Sequence, residues 1–261
     1  NLGVRYEVAS LIHDRLGRTS ALPDILTGTQ MVVGPLLDHN PSLGNVSPRI
    51  GFSWAPRGSR STVIGGGFGI YYDQQLGYSV DTQKNMGPFY RVAINPNFDA
   101  RATFPNAVAG VQASGSGFPQ QGQTLAYKDF TTARAMRYEF SIQRRLPLQS
   151  NLQISYVGAR GNHIWRNYEA NLFPPPERQS DGTLFFPSGE RRINPAFQSG
   201  INVMNSDAQS FYNSLLVTAD TRLSKALTLR ASYTLSKSID DASNIGTSAS
   251  AQQYGLERTL D

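Results

Sequence analysis

Three segments of this chain alternate apolar and polar residues with a period of two, and each turns back on itself through a few residues. Successive side chains of a strand point to opposite faces, so every second residue reads out one face. From Pro48 to Asp73 one face carries Ile50, Phe52, Trp54, Thr62, Ile64, Gly66, Phe68, Ile70 and Tyr72. The other carries Arg49, Gly51, Ser53, Ala55, Val63, Gly65, Gly67, Gly69, Tyr71 and Asp73, with the turn at Pro56-Arg57-Gly58-Ser59-Arg60. From Arg134 to Ala159 the pattern returns around Pro147-Leu148-Gln149-Ser150. Met136, Tyr138, Phe140, Ile142, Leu152, Ile154 and Tyr156 face Arg137, Glu139, Ser141, Gln143, Arg145, Gln153, Ser155 and Val157. From Phe211 to Ser236 it returns around Ser224-Lys225-Ala226. Here Phe211, Leu215, Val217, Ala219, Leu223, Leu227, Leu229, Ala231, Tyr233 and Leu235 oppose Tyr212, Ser214, Thr218, Asp220, Arg222, Thr228, Arg230, Ser232 and Thr234. A seventh strand opens the chain, with Leu2, Val4, Tyr6 and Val8 against Gly3, Arg5 and Glu7.

The connections have a rhythm. Roughly 60 and 50 irregular residues separate the hairpins, where compact soluble domains use about 4–6. Tight turns at one end and long loops at the other are the layout of an outer-membrane β-barrel. The pattern predicts an all-β fold: an antiparallel transmembrane barrel segment of about seven strands, with short periplasmic turns and long extracellular loops. Charge supports it. Arg5, Glu7, Arg49, Arg137, Glu139, Asp220, Arg222 and Arg230 all fall on the polar face and are candidates to line a lumen and contact a plug, or to pair along the wall. Arg144 is the exception, at the short-turn end where a long side chain reaches headgroups. An Arg or Lys facing lipid near mid-membrane costs about 2–4 kcal/mol, which a watery lumen does not exact. A soluble antiparallel sheet with one wet face gives the same alternation; strand length and the short-long rhythm favour the barrel.

Bulk properties narrow the classes. The chain has 261 residues, 39% of them hydrophobic, and no continuous apolar run long enough for a membrane helix. The mean hydropathy of −0.35 does not exclude a bilayer, since only alternate residues of a membrane strand are apolar. Without cysteine there is neither a disulfide framework nor a thiolate metal site. The formal charge of +5 is scattered, with no basic run beyond Arg144-Arg145 and Arg191-Arg192, so no nucleic-acid partner is expected. The chain starts directly in a strand and stops without an aromatic closing strand. Bacterial single-chain barrels have even strand numbers, and the expectation is an interior piece of a longer protein.

With short turns toward the periplasm, three external loops are predicted at Ala9–Asn45, Gln74–Ala133 and Asn167–Gln209, and a fourth from Asp240 onward. Tyr78, Phe89, Tyr90 and Phe98 in the second loop, and Phe173, Phe185, Phe186 and Phe197 in the third, are candidate ligand contacts, because rings stack on sugars and other amphipathic solutes. They are equally candidates for packing the loops. Tyr71, Tyr72, Tyr156, Trp165 and Tyr233, near strand ends, are candidates for an interfacial aromatic girdle.

Catalytic and metal chemistry are not expected. His13, His39 and His163 lie far apart without a carboxylate at ligand spacing, and His163 reads as a solvated loop residue after a Gly-Asn turn. Asp240-Asp241 lacks the further oxygen ligands of a calcium loop. Gly65-Gly66-Gly67-Phe68-Gly69 has no Lys-Ser/Thr and no following helix, so it is not a phosphate loop; strand glycines make room for a plug or relieve curvature. No nucleophile has an adjacent base. No cofactor is expected.

Four stretches in order then resemble one family. They are Ser47-Pro48-Arg49-Ile50-Gly51-Phe52 with Gly65 to Asp73; Phe140 to Leu146 with Ser155 to His163; Tyr212-Asn213-Ser214-Leu215; and Ala231 to Ala242. Together they resemble TonB-dependent receptors, of the Oar-like type of acidobacteria, along essentially the whole chain. The resemblance implies a bacterial outer-membrane barrel of typically 22 strands, closed by an N-terminal plug and driven by the inner-membrane TonB complex. It implies uptake of a nutrient that the sequence does not name, a glycan, metal chelate or similar small molecule. The partners implied are outer-membrane lipid, the plug and the TonB complex; plug and TonB box are not among these 261 residues. A barrel-anchored adhesion or matrix protein, or a soluble carbohydrate-binding β-domain, are the alternatives.

Overall fold

The computed structural model describes residues 1–56, 61–73, 88–89, 122–147, 149–173, 177–185, 191–224 and 226–241. Seven long strands form one antiparallel sheet: β1 (Leu2–Tyr6), β4 (Val46–Trp54), β5 (Thr62–Tyr72), β7 (Arg134–Leu146), β8 (Ser150–Glu169), β11 (Ile201–Arg222) and β12 (Thr228–Asp240), paired in that order. Between them lie β2 (Ser20–Ala21), β3 (Val32–Val33), a 3-10 turn (Pro41–Gly44), β6 (Gly122–Leu125), β9 (Glu177–Arg178) and β10 (Leu184–Phe185). The three predicted hairpins are present: β4 pairs with β5, β7 with β8, and β11 with β12. No described helix is long and apolar enough to cross a membrane.

Burial is inverted along the strands. Outward residues that a soluble sheet would cover are open, among them Leu2 at 84%, Phe52 at 53% and Tyr233 at 64% exposure. The buried apolar residues sit instead at the loop end. One cluster joins Leu36, Leu37, Leu125, Phe130, Trp165 and Met204, and a second joins Leu22, Met31, Ala126, Phe197, Ile201 and Val203. The hydrophobic effect thus holds together a cap built from the first loop, the end of the second and the upper β8 and β11, while the hairpins below leave their apolar face to another solvent.

That cap corrects the loop reading. β8 and β11 run 20 and 22 residues, so the third connection begins after Glu169 and ends before Ile201, inside the predicted Asn167–Gln209. The strands were hidden because two offset bulges break the alternation. The register shifts between Asn205 and Ala208 and again between Ala208 and Gln209. His163 adopts φ +57° at this point and its Nδ1 lies 3.2 Å from the Ser206 carbonyl; it belongs to a bulge within β8, not to a solvated turn. β6 joins β11 in parallel. Trp165, 7% exposed, packs on Phe130 with ring centroids 5.7 Å apart, so it is cap core and not girdle. Phe197, fully buried, is core as well.

The outward apolar band runs diagonally. On β7, Met136, Tyr138, Phe140 and Ile142 lie between Arg134 and Arg144. Ten residues span about 34 Å at about 3.4 Å each. Arg160 on β8 and Lys237 on β12 share this outward parity, a departure from the near-complete sorting of charge read from sequence. The row through Arg134 passes Asn162 and Gln209 to Asp241, so Lys237 stands four residues below it. That is a drop of about 14 Å across three strand spacings of about 4.8 Å. Lys237 lies between Leu235 and Ile239 of the same parity, inside the outward set of β12; strands of membrane barrels tilt by roughly 35–45°. Tilted so, the band on β7 is about 24 Å tall, close to the apolar belt of about 25 Å in such barrels.

Candidate functional site: lumen wall and loop cap

The polar face of β4, β5, β7, β8 and β11 forms a wall with a shallow concavity of about 800 Å³, lined by Arg49, Gly51, Gly67, Gly69, Tyr71, Arg137, Glu139 and Tyr212 among others. Register places these groups: Arg49 pairs with Gly69 and Gly69 with Arg137, while Gly51 pairs with Gly67 and Gly67 with Glu139. The glycines leave the floor flat, so the long side chains lie across it. Tyr71 lies beside Gly69, where a Cβ would come 2.9 Å from the ring. The Arg49 guanidinium sits 4.5 Å from the Tyr71 ring centroid and that of Arg137 5.7 Å. Two cations thus share one ring facing the lumen, and Tyr71 is not part of a lipid-facing girdle. Among the described residues neither arginine meets a carboxylate, and Glu139 has no ion-pair partner.

The other lumen candidates divide differently. Arg5 and Glu7 pair with each other at 2.5 Å, as do Asp220 and Arg230 across β11 and β12. Arg222 donates to the Ser224 carbonyl at 3.3 Å at the turn. These four paired groups stiffen the wall, whereas Arg49, Arg137 and Glu139 keep their charge directed inward. Structure thereby selects three of the eight sequence candidates as groups facing an open space.

Outside, glycines seat rings too. A Cβ at Gly158 would come 2.1 Å from the Tyr138 ring, and one at Gly66 would come 2.6 Å from Phe52, so part of the glycine pattern serves aromatic packing on the outer face. The Tyr138 and Tyr156 hydroxyls both donate to Asn213 Oδ1, at 2.9 and 2.8 Å. Asn213 shares the outward parity of Phe211 and Leu215, and the tyrosines satisfy its carbonyl where lipid offers no donor. Sequence reading passed over Asn213 because it interrupts an apolar set. Tyr156 and Tyr233 fall within the apolar band; Tyr72, paired with Arg134, stands at its boundary.

The cap is clasped by a buried polar network. Asn171 Nδ2 donates to the Asn194 and Phe197 carbonyls, and the Asn194 amide donates to Asn171 Oδ1. Asn194 Nδ2 reaches the Ile25 and Gly28 carbonyls, tying the third connection to the first loop. Glu169 Oε1 accepts from the Asn171 and Ile201 amides with Arg192 Nη1 at 3.6 Å. Gly200, at φ +101°, is required where a Cβ would fall 2.1 Å from the Glu169 carboxylate. In the first loop, two charge-assisted hydrogen bonds from Arg18 hold the Asp14 carboxyl at about 2, below its ordinary 3.8. Further out, Arg166 and Asp207 pair at 2.7 and 2.9 Å, which raises the arginine further.

Of the loop aromatics proposed as contacts, Phe89, Phe173 and Phe185 are exposed, and Phe173 lies under Arg192 at 4.8 Å. Nothing among the described contacts brings the three together. Tyr78, Tyr90, Phe98 and Phe186 lie outside the described residues. No cluster of three or more metal-ligating side chains occurs among the described residues.

A family model described as an outer membrane beta barrel domain matches residues 1–259. The chain belongs to this outer-membrane β-barrel family. That membership places it in the bacterial outer membrane and makes the outward apolar band its lipid-facing surface. Among solved structures it is similar to the outer membrane transporter YddB from Escherichia coli, at 13% identity and a TM-score of 0.43, over 74% of this chain and 20% of that one. It therefore spans about a fifth of that transporter. No curated protein sequence matches it.

Proposed function

We propose that this chain is a wall segment of a TonB-dependent receptor of the Oar-like type, whose capped loops capture a nutrient and whose lumen face holds the plug. The observation that carries the reading is the uncompensated patch of Arg49, Arg137 and Glu139 on a glycine-flattened inner wall. Charges of both signs left without ion-pair partners on a wall that faces inward call for a polar body of complementary groups against it, since a charge covered without such a group costs several kcal/mol. A plug with its own carboxylates and cations answers that requirement, and an energised plug movement would open a path along this face. Both edge strands, β1 and β12, need covering in hydrocarbon, where each unpaired backbone group costs several kcal/mol; further barrel strands supply that cover. On this reading the protein moves its substrate without transforming it.

The test is site-specific photo-crosslinking in cells producing the full-length protein. A benzophenone amino acid at Arg137 or Glu139 is expected to crosslink within the same polypeptide, to an N-terminal plug, while one at Phe140 or Ile142 captures no protein. A full-length polypeptide without plug or TonB-contacting segment, or lumen positions that crosslink nothing, overturns the reading.

A further inference from the structure

We infer, on the uptake reading above, that a cavity under the cap recognises a protonated amino group of the substrate, as carried by an amino sugar or a short peptide. Glu7, Asn45 and Asp73 share one inward row at the loop end of the wall. The Glu7 amide donates to the Asn45 carbonyl at 3.0 Å. The register that sets Arg49 opposite Gly69, counted on by four residues, sets Asn45 opposite Asp73. Neighbours in such a row stand about 4.8 Å apart. The three line a cavity of about 310 Å³ together with Phe130 and Trp165 of the cap core. Ligand pockets run from about 300 to 1,000 Å³, so this one suits a small molecule or one end of a larger one. Asn45 lies four residues from Arg49, about 14 Å along the strand toward the loops, which separates the cavity from the patch assigned to the plug.

The groups left open select the ligand. On the same wall the Asn40 and Ser42 side chains both donate to the Ala9 carbonyl, and Arg5 is taken by Glu7 at 2.5 Å. Asp73 is exposed and has no ion-pair partner among the described residues. Asn45 is only 5% exposed, and its side-chain amide makes no hydrogen bond among the described residues. Buried polar groups are as a rule hydrogen-bonded, so an amide left open on a cavity wall calls for a partner from the ligand. Two carboxylates against one arginine give the cavity an excess of negative charge, which repels anions and attracts cations. Its size and its rings favour an organic cation over a metal ion, since carboxylate and aromatic ring together hold an ammonium group.

The test is calorimetric titration of the full-length protein in neutral detergent. The probes are tetra-alanine and the disaccharide of glucosamine, each in free and N-acetylated form. The wild type is expected to bind at least one free amine about tenfold more tightly than its acetylated form, the scale of a charge-assisted hydrogen bond; the arm that shows the preference names the source. Asp73→Asn is expected to lose the preference and Asp73→Arg to disfavour the free amine. Both changes fall at an exposed position, and heat-modifiable mobility on a gel reports folding. Glu177→Gln, the same charge change on the exposed β9, is expected to keep the preference. Equal affinity for free and acetylated forms, no binding of any probe, an Asp73→Asn variant with the full preference, or an equal loss in Glu177→Gln overturns the inference. Binding in detergent needs neither plug movement nor the TonB complex, so such a result leaves the uptake reading to its own crosslinking test.

Discussion

Placing one arginine on each face of β7 separates a membrane wall from a wet sheet by energy. Phe140 and Gln143 stand on the same strand with opposite parity. Phe140 lies four residues above Arg144, about 14 Å along the strand and about 10 Å along the membrane normal at a tilt near 45°. The band there is about 24 Å tall, so Phe140 sits within about 2 Å of its middle. Phe140→Arg therefore costs about 2–4 kcal/mol, the mid-membrane value for a lipid-facing arginine. Gln143 is exposed on the polar face, and Gln143→Arg is expected to stay within about 0.5 kcal/mol. The assay is guanidinium unfolding of the full-length protein in phospholipid vesicles, followed by fluorescence and by heat-modifiable mobility. A difference of about 3 kcal/mol is about two orders of magnitude in the folded-to-unfolded ratio. Equal costs at the two positions, or a larger cost at Gln143, would refute the assignment of faces.

Asn213→Ala removes the acceptor of two tyrosine hydroxyls, and the double-mutant cycle with Tyr138→Phe is expected to show a coupling of about 0.6 kcal/mol, the average for such bonds in membranes. Asn194→Ala leaves the Ile25 and Gly28 carbonyls without donors; a cost of about 2–4 kcal/mol to the cap is expected to appear as faster hydrogen exchange over residues 20–28, with β7 unaffected. The Asp14 carboxyl, depressed in the folded loop, contributes its ion pair in full above about pH 4 and loses it as pH falls through about 2. The carbon shift of Asp14 is expected to titrate near 2, and Arg18→Ala to return it toward about 3.9.

The hairpins are legible because a membrane strand encodes its two solvents at period two, and because turn residues such as Pro147 break the pattern between the strands. The cap is not. Its strands extend beyond the bilayer, where paired bulges and the polar run Asn205-Ser206-Asp207 erase the period, and its core is assembled from residues far apart, such as Leu22 with Val203. Trp165 reads as a girdle residue by position and becomes core only through the segment 122–133 folding onto it. Parity along the strands is legible in the sequence, but sequence cannot show that Arg5 takes Glu7 and Arg230 takes Asp220 while Arg49, Arg137 and Glu139 have no ion-pair partner among the described residues. The outward cations Arg160 and Lys237 escaped because their strands were read only as far as the alternation stayed apolar.

The most direct measurement is a cysteine scan of β7, aided by the absence of native cysteine from this chain. Single substitutions from Arg134→Cys to Arg145→Cys, labelled with a fluorophore in the folded full-length protein in vesicles, are challenged with brominated lipid and with aqueous iodide. The account predicts lipid quenching at positions 136, 138, 140 and 142, none at 137, 139, 141 and 143, and a fall in lipid quenching at 134 and 144. Uniform access of iodide to both parities, or lipid quenching without a period of two, would contradict it.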